Sequence, residues 1–284
     1  MTWIAYRVVF KLRSPMHIGC GKVGNVQLTR PYVTGRVFWG ALTMRLTRDE
    51  TSGAATHSEQ YKAFGDQVNS ELAFTYFYPA TAENQDYRIA FPWKNESLFR
   101  RRFLSSYAST ALVYPQQAAD EGLLHEVEFL SPRTLDEGKQ VYLIGYVFEK
   151  DDCTLQWQDA CKRLQMGGER GYGWGAVDYD PENGIKEIEG NQLFDGQAVF
   201  KGDGNKPTIE TEQMFAHTTA STNLRATGEV EPLVGREWKS NNQTNRYAGQ
   251  HIEKVCDPCW VPGSTVAQSL NFEIQNFGIW HLSN

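Results

Sequence analysis

The order of apolar and polar positions predicts a mixture of strands and helices over the first 180 residues. From Trp3 to Leu12 apolar residues alternate with other residues, which predicts a strand that carries Arg7 and Lys11 on its polar face. Further elements are predicted as a helix over 37–46, strands over 73–78, 123–130 and 141–148, a helix over 154–164 and a strand over 175–179. Their β-α-β and β-β-α-β order, divided by an irregular insertion over 84–93, is typical of an α+β domain with ferredoxin-like (RRM-like) topology.

The remainder of the chain carries shorter strand patterns and more polar stretches. Strands are predicted over 214–218, 267–274 and 278–282, a connection over 181–207, and long loops over 49–63 and 231–251. We therefore divide the chain into an N-terminal domain over 1–180 and a smaller C-terminal domain over 181–284. The second domain is expected to be β-rich or a degenerate ferredoxin-like fold.

The most unusual stretch is glycine-rich and spans residues 164–177, LQMGGERGYGWGAV. Glycine at this density lets backbone N–H groups approach a ligand closely and adopts positive φ at little steric cost. Between the glycines, Arg170 offers a cation, and Tyr172 and Trp174 offer flat rings suited to unstacked bases. The same composition also fits a turn that leads into a strand. Since no Gly-Lys-Ser/Thr follows and no βαβ unit surrounds it, a Walker loop and a dinucleotide fingerprint are excluded.

A second glycine-rich stretch, MHIGCGKVGN at residues 16–25, follows the first predicted strand and contains Lys22. The next predicted helix begins just after Gly35, and Arg30 and Arg36 lie close to its start. Backbone N–H groups at the start of a helix carry partial positive charge. A strand, a basic loop and a helix start in this order therefore predict a cradle for phosphate.

Charge is distributed unevenly along the chain. The formal net charge is −6 at pH 7, but residues 1–48 contain eight basic residues and no Asp or Glu, which leaves 20 basic and 34 acidic residues in the other 236. The basic residues are Arg7, Lys11, Arg13, Lys22, Arg30, Arg36, Arg45 and Arg48. This asymmetry predicts a basic face for a polyanion on an acidic body. The alternative is that several of these arginines pair with carboxylates from other parts of the fold.

The number of cysteines and the hydropathy of the chain indicate the cellular compartment in which we expect it. The five cysteines, an odd number, favour a reducing cytoplasm over a disulfide framework. Cys256 and Cys259 form a CxxC, but the sequence has no second CxxC, so we expect thiols rather than a zinc site, and no cofactor. No apolar run is long enough for a membrane helix, and the charges within the N-terminal apolar pattern exclude a signal peptide. We expect a cytoplasmic protein without membrane contact.

Several of these stretches occur in an order that resembles a known family. The RAMP superfamily of CRISPR effector proteins is similar in its succession of SPMHIGCGKVGN, RPYVTGRVFWGALTMRL, HEVEFLSP with VYLIGYVF, and LQMGGERGYGWGAV. Its members open with a strand that ends in a Pro-hydrophobic-His-Ile-Gly turn, and their first domain closes with a glycine-rich loop. The resemblance covers most of residues 3–178. The tail resembles the Cas five-like subunit of type III-D complexes in the segments PLVGREW, CWVPGS and FGIW.

The resemblance implies a crRNA-binding, non-catalytic subunit of a type III CRISPR effector complex. Such subunits cap the end that carries the crRNA 5′ handle, and they contact the large subunit and the backbone RAMP subunits. Carried over residue by residue, the RNA-binding positions are His17, Gly19, Lys22, Arg30, Arg36, Gly168, Arg170, Tyr172 and Trp174. Glycine loops of this superfamily often carry several basic residues. Here Arg170 stands alone beside Glu169, which favours a backbone or stacking role for the loop.

Two other functions fit parts of the sequence. Some RAMP relatives are metal-independent endoribonucleases that process CRISPR repeats, and His17 with Lys22 and Tyr6 or Tyr32 resembles such a site. The alternative is a turn histidine bonded to the backbone, and we expect no catalysis because a lone histidine specifies little. A non-RNA assembly scaffold would expose aromatic residues of the tail, which otherwise form a core. These residues are Trp238, Trp260, Phe272, Phe277 and Trp280.

Overall fold

The computed structural model describes residues 2–283 except 54, 56, 85, 115–117, 180–182 and 239–250, and it describes residues 236 and 251–256 by their backbone alone. The elements up to residue 180 are β1 (Trp3–Leu12), β2 (Gly19–Val23), β3 (Val26–Thr29), α1 (Gly35–Glu50), α2 (Ser58–Glu71), β4 (Leu72–Phe74), β5 (Tyr78–Glu83), β6 (Asp86–Ile89), α3 (Glu96–Phe103), β7 (Leu104–Ser109), β8 (Leu112–Val113), β9 (Ala118–Ala119), β10 (His125–Leu130), β11 (Val141–Lys150), α4 (Trp157–Cys161) and β12 (Val177–Tyr179). The later strands are β13 (Ile185–Glu187), β14 (Gln192–Leu193), β15 (Ala198–Lys201), β16 (Thr208–Gln213), β17 (Thr218–Thr219), β18 (Ala226–Thr227), β19 (Val230–Glu237), β20 (His251–Trp260), β21 (Thr265–Ile274) and β22 (Trp280–Leu282).

The central sheet has the strand order β12-β1-β11-β5-β6, with β13 beside β1 and β4 beside β11. Neighbouring strands in it run antiparallel. In the chain, α1 and α2 precede β4 and β5, and α4 lies between β11 and β12. The strand predicted from Trp3 to Leu12 has those bounds in the structure. Together with its helices, the sheet gives the α+β architecture that the sequence predicts.

One face of the central sheet packs against helices. Val8, Phe10 and Leu12 alternate along β1 and are fully buried in the same cluster as Phe38 and Leu42 of α1. The rings of Phe10 and Phe38 have centroids 6.3 Å apart. The two-residue period of the strand and the four-residue spacing on the helix turn these side chains toward each other. Burial of each stabilises the fold by about 1.5–3 kcal/mol.

The opposite face of the central sheet is covered by a nine-stranded sheet built from the C-terminal residues. Val9 of β1 and Tyr146 of β11 are buried in one cluster with Phe194, Phe272 and Trp280. In RRM domains, bases stack on the open face of the sheet. Here that face is filled by apolar side chains and is not open to a ligand. Segments 1–180 and 181–284 thus share a core, and the domain boundary at residue 180 stays a prediction.

A separate four-stranded sheet has the order β2-β3-β10-β7. β2 and β3 form a hairpin whose turn contains Gly24 at a φ of +58°. β10 runs parallel to β3 and antiparallel to β7. The glycine-rich stretch 16–25, which the sequence predicts as a loop, is therefore largely a strand and its turn. It presents Lys22 from a sheet edge rather than from a helix-capping loop.

Several other predicted loops contain regular structure. Helix α2 begins inside 49–63, β6 occupies part of 84–93, and β19 occupies the start of 231–251, whereas α4 is shorter than the helix predicted over 154–164. β6 and β19 are the last strands of their sheets. Edge strands pair on one side only and tolerate polar sequences, so local propensity underestimates them. Arg246 and Tyr247, expected in the last of these loops, lie outside the described residues. Among the described helices, none is both long enough and apolar enough to cross a bilayer.

Candidate nucleic-acid interface

The glycine-rich loop packs directly on the turn that follows β1. The N–H of Gly168 donates to the carbonyl of His17 at 2.8 Å, and the N–H of Gly175 donates to the carbonyl of Pro15 at 2.7 Å. A further bond at 2.9 Å, from Met166 N–H to the carbonyl of Gly175, closes the loop at its base. Two motifs that lie about 150 residues apart in the sequence therefore form one surface.

The glycines of this loop divide into structural and open positions. Gly167 has a φ of +86°, and a Cβ there would lie 2.5 Å from the carbonyl oxygen of His17. Gly175 has a φ of +77°, and a Cβ would overlap the carbonyl of Met166. By contrast, a Cβ on Gly171 would meet no atom within 4 Å. Gly167 and Gly175 are thus required by packing and backbone conformation, whereas Gly171 faces open space.

His17 is buried and held by the backbone. Its Nδ1 lies 2.7 Å from the carbonyl oxygen of Glu128 on β10. A carbonyl only accepts, so Nδ1 carries the proton and donates. A Cβ on Gly19 would lie 3.1 Å from His17 Nε2, so this glycine lets β2 begin close to the ring. Tyr32 is buried elsewhere, with its ring 5.7 Å from that of Tyr76. His17 therefore has the position of a turn residue that joins β10 to the glycine-rich loop.

The glycine-rich loop uses many of its own backbone donors. The N–H groups that donate inside the protein include those of Met166, Gly168, Tyr172, Gly173, Trp174, Gly175 and Ala176. The side chains are more available: Tyr172 is 84% exposed, and Arg170 is exposed with one guanidinium nitrogen 3.4 Å from Met44 Sδ. Because most of these N–H groups are already bonded, the side chains of this loop are better placed than its backbone to contact a ligand.

Trp174 connects the loop to the outer sheet. Its ring meets that of Phe129 on β10 edge to face, with centroids 5.0 Å apart, and that of Tyr107 on β7 at 6.5 Å. Tyr107 is 60% exposed although it lies on a strand. The sequence analysis missed Tyr107 and Phe129. The alternation of polar and apolar residues in HEVEFL predicts the strand that carries Phe129, whereas LSSYAS has no alternation that points to Tyr107.

Lys22 and Gly19 lie on β2, whose residues are all exposed. β2 is an edge strand of the outer sheet and begins beside His17, whose carbonyl binds the glycine-rich loop, whereas β7, which carries Tyr107, is the opposite edge of the same sheet. We call the exposed surface formed by Lys22, Arg170, Tyr172, Trp174 and Tyr107 the aromatic-basic surface. It combines two cations with three rings, the chemistry expected for a single-stranded nucleic acid.

Arg30 has a different environment from the one expected of a phosphate ligand. Its guanidinium lies 2.6 Å from Glu231 Oε1 of β19, and its side chain is only 14% exposed. The same carboxylate oxygen lies 2.6 Å from Nε2 of the fully buried His217, and the other ring nitrogen of His217 lies 2.8 Å from the hydroxyl of Tyr76. We call these four residues the Arg30–Glu231 network; it joins the start of α1 to the C-terminal sheet.

The protonation states in this network follow from burial and hydrogen bonding. Burial acts to raise the pKa of Glu231, but its bonds to His217 and Arg30 outweigh this and lower the pKa to about 2. Burial lowers the pKa of His217, so its ring is neutral at pH 7. An ionised carboxylate only accepts. His217 therefore donates from Nε2 to Glu231, and its Nδ1 accepts from the hydroxyl of Tyr76.

Arg36 and other arginines of the basic segment also have protein partners. The Arg36 guanidinium pairs with Glu237 and lies 4.8 Å from the ring centroid of Trp39 and 4.6 Å from that of Phe277. Further ion pairs join Arg7 to Asp86, Arg13 to Asp178, and Arg45 to Asp49. Within the described part of the chain, Lys11, Lys22 and Arg48 have no ion pair. Much of the positive charge expected on one free face is thus matched by carboxylates, as the alternative interpretation held.

Cys259 of the CxxC and three of the tail aromatic residues pack inside the protein. Cys259 is buried and its thiol donates to the carbonyl of Asp257 at 3.0 Å, while the side chain of Cys256 lies outside those described. Among the described residues no group of three or more His, Cys, Asp or Glu is arranged to hold a metal ion. Phe272 and Trp280 are fully buried, and Phe277 packs on Trp39. Large exposed apolar side chains lie instead near β8 and β9 at Leu112, Val113, Tyr114, Leu123 and Leu124.

The sequence matches the profile of one protein family. A family profile described as "RAMP superfamily" matches residues 9–178, which contain the β1 turn, α1 and the glycine-rich loop. No curated protein matches the chain.

Three solved structures that match this chain are of Type III-B Cmr-beta complexes. A chain of the complex bound to cognate target RNA is 10% identical, with 61% of this chain and 95% of that chain covered at a TM-score of 0.39. A chain of the complex bound to cognate target RNA and AMPPnP is 9% identical, with 91% and 84% covered at a TM-score of 0.46. A chain of the apo state is 8% identical, with 66% and 98% covered at a TM-score of 0.39. Because all three scores are below 0.5, the family assignment rests on the sequence profile.

Proposed function

The chain belongs to the RAMP superfamily, and from this premise we propose that it is a crRNA-binding, non-catalytic subunit of a type III CRISPR effector complex. It caps the end of the complex that carries the 5′ handle and contacts the large subunit and the backbone RAMP subunits. In this proposal the guide recognises the target by base pairing, and this chain holds the guide without contacting the target sequence specifically. We also propose that the central sheet is ferredoxin-like, which its strand order and its two helical connections support.

The observation that carries the proposal is the packing of the glycine-rich loop on the His17 turn. This packing and the contact between Trp174 and Tyr107 support a surface that draws on the loop, β7 and the exposed strand β2. Rings of Tyr172, Trp174 and Tyr107 offer stacking faces for successive bases, and Lys22 and Arg170 offer charge to the backbone phosphates. Gly19, Gly168 and His17 act indirectly, because their contacts with one another hold the loop against β2.

Arg30 and Arg36 have a supporting role in this proposal. Each is tied to a carboxylate of β19, Glu231 or Glu237, and each flanks the start of α1. Moving either guanidinium to a phosphate would leave a half-buried carboxylate without its partner, which is costly. We therefore assign them to fastening α1 against the C-terminal sheet, and we assign phosphate contact to Lys22 and Arg170.

The test uses the purified full chain in EDTA with two labelled RNAs, a repeat-containing precursor and a mature guide that bears the 5′ handle. Binding is measured by fluorescence anisotropy across a salt series, and cleavage is read from the same samples on a gel. Tyr172→Ala is expected to weaken guide binding by about five- to a hundredfold, since stacking contributes about 1–3 kcal/mol per base. Lys22→Ala is expected to reduce the slope of log K against log salt by about 0.7, the value for one phosphate contact on a single strand.

Matched controls exist on other surfaces. Tyr114→Ala removes a tyrosine of similar exposure outside the aromatic-basic surface, and Lys62→Ala removes an exposed lysine of α2. Both are expected to leave affinity and salt slope unchanged. Salt-sensitive guide binding that Tyr172→Ala and Tyr114→Ala weaken equally would contradict the assignment of this surface.

The other two functions predict different results in the same samples. A repeat-processing endoribonuclease would make a discrete cut in EDTA that His17→Ala abolishes. The buried ring of His17, with Nδ1 bonded to a backbone carbonyl, gives that mechanism little geometric support. A non-RNA scaffold would neither bind nor cut either RNA. Either outcome would overturn the proposal.

A further inference from the structure

A basic cleft lies at the end of β1, beyond the aromatic-basic surface. It has a volume of about 260 Å³ and is lined by Lys11, Leu12, Arg13, Pro132, Arg133 and Gln140. Pockets for drug-sized ligands are commonly about 300–1,000 Å³ and mostly apolar. This cleft is smaller and carries three cations, which fits a small anionic group better than an apolar ligand.

The charges around the cleft do not cancel. Arg13 pairs with Asp178, but Lys11 has no ion pair or hydrogen bond in the described part of the chain. Arg133 donates to a neutral group, the carbonyl of Gly138, at 3.1 Å. The acidic residues of the neighbouring loop, Asp136 and Glu137, are matched by Arg102 and Lys139. Two positive charges, those of Lys11 and Arg133, are therefore left for a ligand.

The side of the cleft opposite β1 is held rigidly. The loop between β10 and β11 is closed by a backbone bridge between Arg133 and Gln140 and by bonds of 2.8 and 2.9 Å between Thr134 and residues 139 and 138. The Gln140 amide nitrogen faces three carbonyl oxygens, at 2.7 Å from Leu12 and 3.0 Å from both Pro132 and Val141. These acceptors fix the amide orientation and leave its oxygen as an acceptor. A site built this way loses little entropy when a ligand binds.

The cleft also begins where the glycine-rich loop ends. The N–H of Arg13 donates to the carbonyl of Ala176 at 2.9 Å, and Lys11 pairs in register with Asp178 of β12. A chain that leaves the loop along β12 would reach the cleft directly. Its phosphate would meet Lys11 and Arg133, and a ribose hydroxyl would find the Gln140 oxygen as an acceptor.

The geometry points to a phosphate-binding site formed by Lys11 and Arg133, which takes a backbone phosphate of the bound RNA while the Gln140 oxygen accepts from a ribose hydroxyl. That the phosphate comes from RNA rests on the proposed function; that the cleft binds phosphate does not. The site extends the RNA path from the aromatic-basic surface around the end of β1.

Two measurements on the full chain test this inference. In the first, guide binding is followed across a salt series for the wild type and for the double variant Lys11→Gln/Arg133→Gln. We expect the slope of log K against log salt to fall by about 0.7, because the two cations share one backbone phosphate and each phosphate contact on a single strand contributes about 0.7. The control double variant Lys62→Gln/Lys201→Gln makes the same change in net charge on α2 and β15, and we expect it to keep the wild-type slope. Lys11→Arg retains the cation and should also keep it.

In the second measurement, acetylation of Lys11 by a limiting amount of acetic anhydride is quantified by mass spectrometry, with Lys62 as the internal reference. Guide RNA and millimolar inorganic phosphate are each expected to protect Lys11 several-fold and to leave Lys62 unchanged. This arm distinguishes the sources of phosphate. Protection by inorganic phosphate in a protein that binds no RNA would support the cleft and sink the proposed function.

The opposite pattern would overturn the inference. If the guide binds with a salt slope that the Lys11→Gln/Arg133→Gln variant shares, and neither RNA nor phosphate protects Lys11, the cleft is not a phosphate site although the proposed function stands. Circular dichroism and thermal unfolding of each variant show whether it is folded. If the double variant is not folded, Lys11→Gln alone removes one of the two cations, and a wild-type salt slope and affinity in that variant would count against the site.

Discussion

Replacing Glu231 by Gln removes the charge at the centre of the Arg30–Glu231 network while it keeps the shape of the side chain. Glu231 accepts from both Arg30 and His217 at 2.6 Å, so the change leaves the Arg30 guanidinium facing a neutral amide. We expect the variant to fold and to be less stable than the wild type. The prediction tests whether Arg30 fastens the C-terminal sheet or is held ready for RNA.

The expected loss can be worked from the geometry. Two unit charges about 4 Å apart attract by about 4 kcal/mol at an effective dielectric constant of about 20. The Glu231 side chain is 33% exposed, so water screens part of this attraction. The Gln side chain still accepts one hydrogen bond. We therefore expect the free energy of unfolding to fall by about 2 kcal/mol, and a cycle with Arg30→Gln to give a coupling of about 1–2 kcal/mol.

The assay is urea unfolding at pH 7, followed by both tryptophan fluorescence and far-ultraviolet circular dichroism, because coincident transitions are needed before free energies are compared. The matched control is Glu210→Gln, which removes a more exposed ion pair with Lys201 at 2.6 Å and should cost less than about 1 kcal/mol. If Glu231→Gln costs no more than this control, the network is not the fastening we infer.

The pH dependence gives an independent check. The bonds to His217 and Arg30 lower the pKa of Glu231 from 4.5 to about 2, against an opposing effect of burial. The folded state thus binds this proton more weakly than the unfolded state does. The stability that Glu231 contributes is complete above about pH 4.5 and is lost as the pH falls toward 2. The difference between wild type and Glu231→Gln should shrink over that range, and a constant difference would contradict the assignment.

Three further predictions follow from the same structure. Burial lowers the pKa of His217 from 6.5, so the unfolded chain binds this proton at a higher pH than the folded chain does. The free energy of unfolding of the wild type should therefore fall as the pH drops below about 6.5. In His217→Gln the free energy of unfolding should depend less steeply on pH over this range. Gly175→Ala should lower the thermal midpoint by several degrees because the new Cβ overlaps the carbonyl of Met166, whereas Gly171→Ala should leave it unchanged, and equal midpoints would refute the division of the loop glycines. Phe272→Ala should cost about 3–5 kcal/mol in urea unfolding, since its fully buried ring packs in the core that both halves of the chain share; a cost below 1 kcal/mol would show that the shared core contributes little.

Local sequence determined those elements that depend on a pattern within their own residues, such as alternating burial or a high density of glycine. The alternation from Trp3 to Leu12 predicts β1 with its observed bounds, because its buried faces impose a two-residue period. The glycine density over 164–177 likewise marks a loop, and the structure shows that Gly167 and Gly175 are needed there for backbone reasons. Tyr172 and Trp174 were also identified from sequence as rings set among glycines; Tyr172 is exposed, whereas Trp174 packs on Phe129.

The partners of the basic residues were decided by tertiary structure alone. Arg30 pairs with Glu231 and Arg36 pairs with Glu237, each across 201 residues of sequence. Nothing in the local pattern distinguishes these arginines from Lys11 and Lys22, which have no ion pair among the described residues. An ion pair depends on where packing places two segments that are distant in sequence, whereas a count of charges depends only on composition. The sequence thus determined that the first 48 residues are basic, and only the fold decided which of those charges remain available to a polyanion.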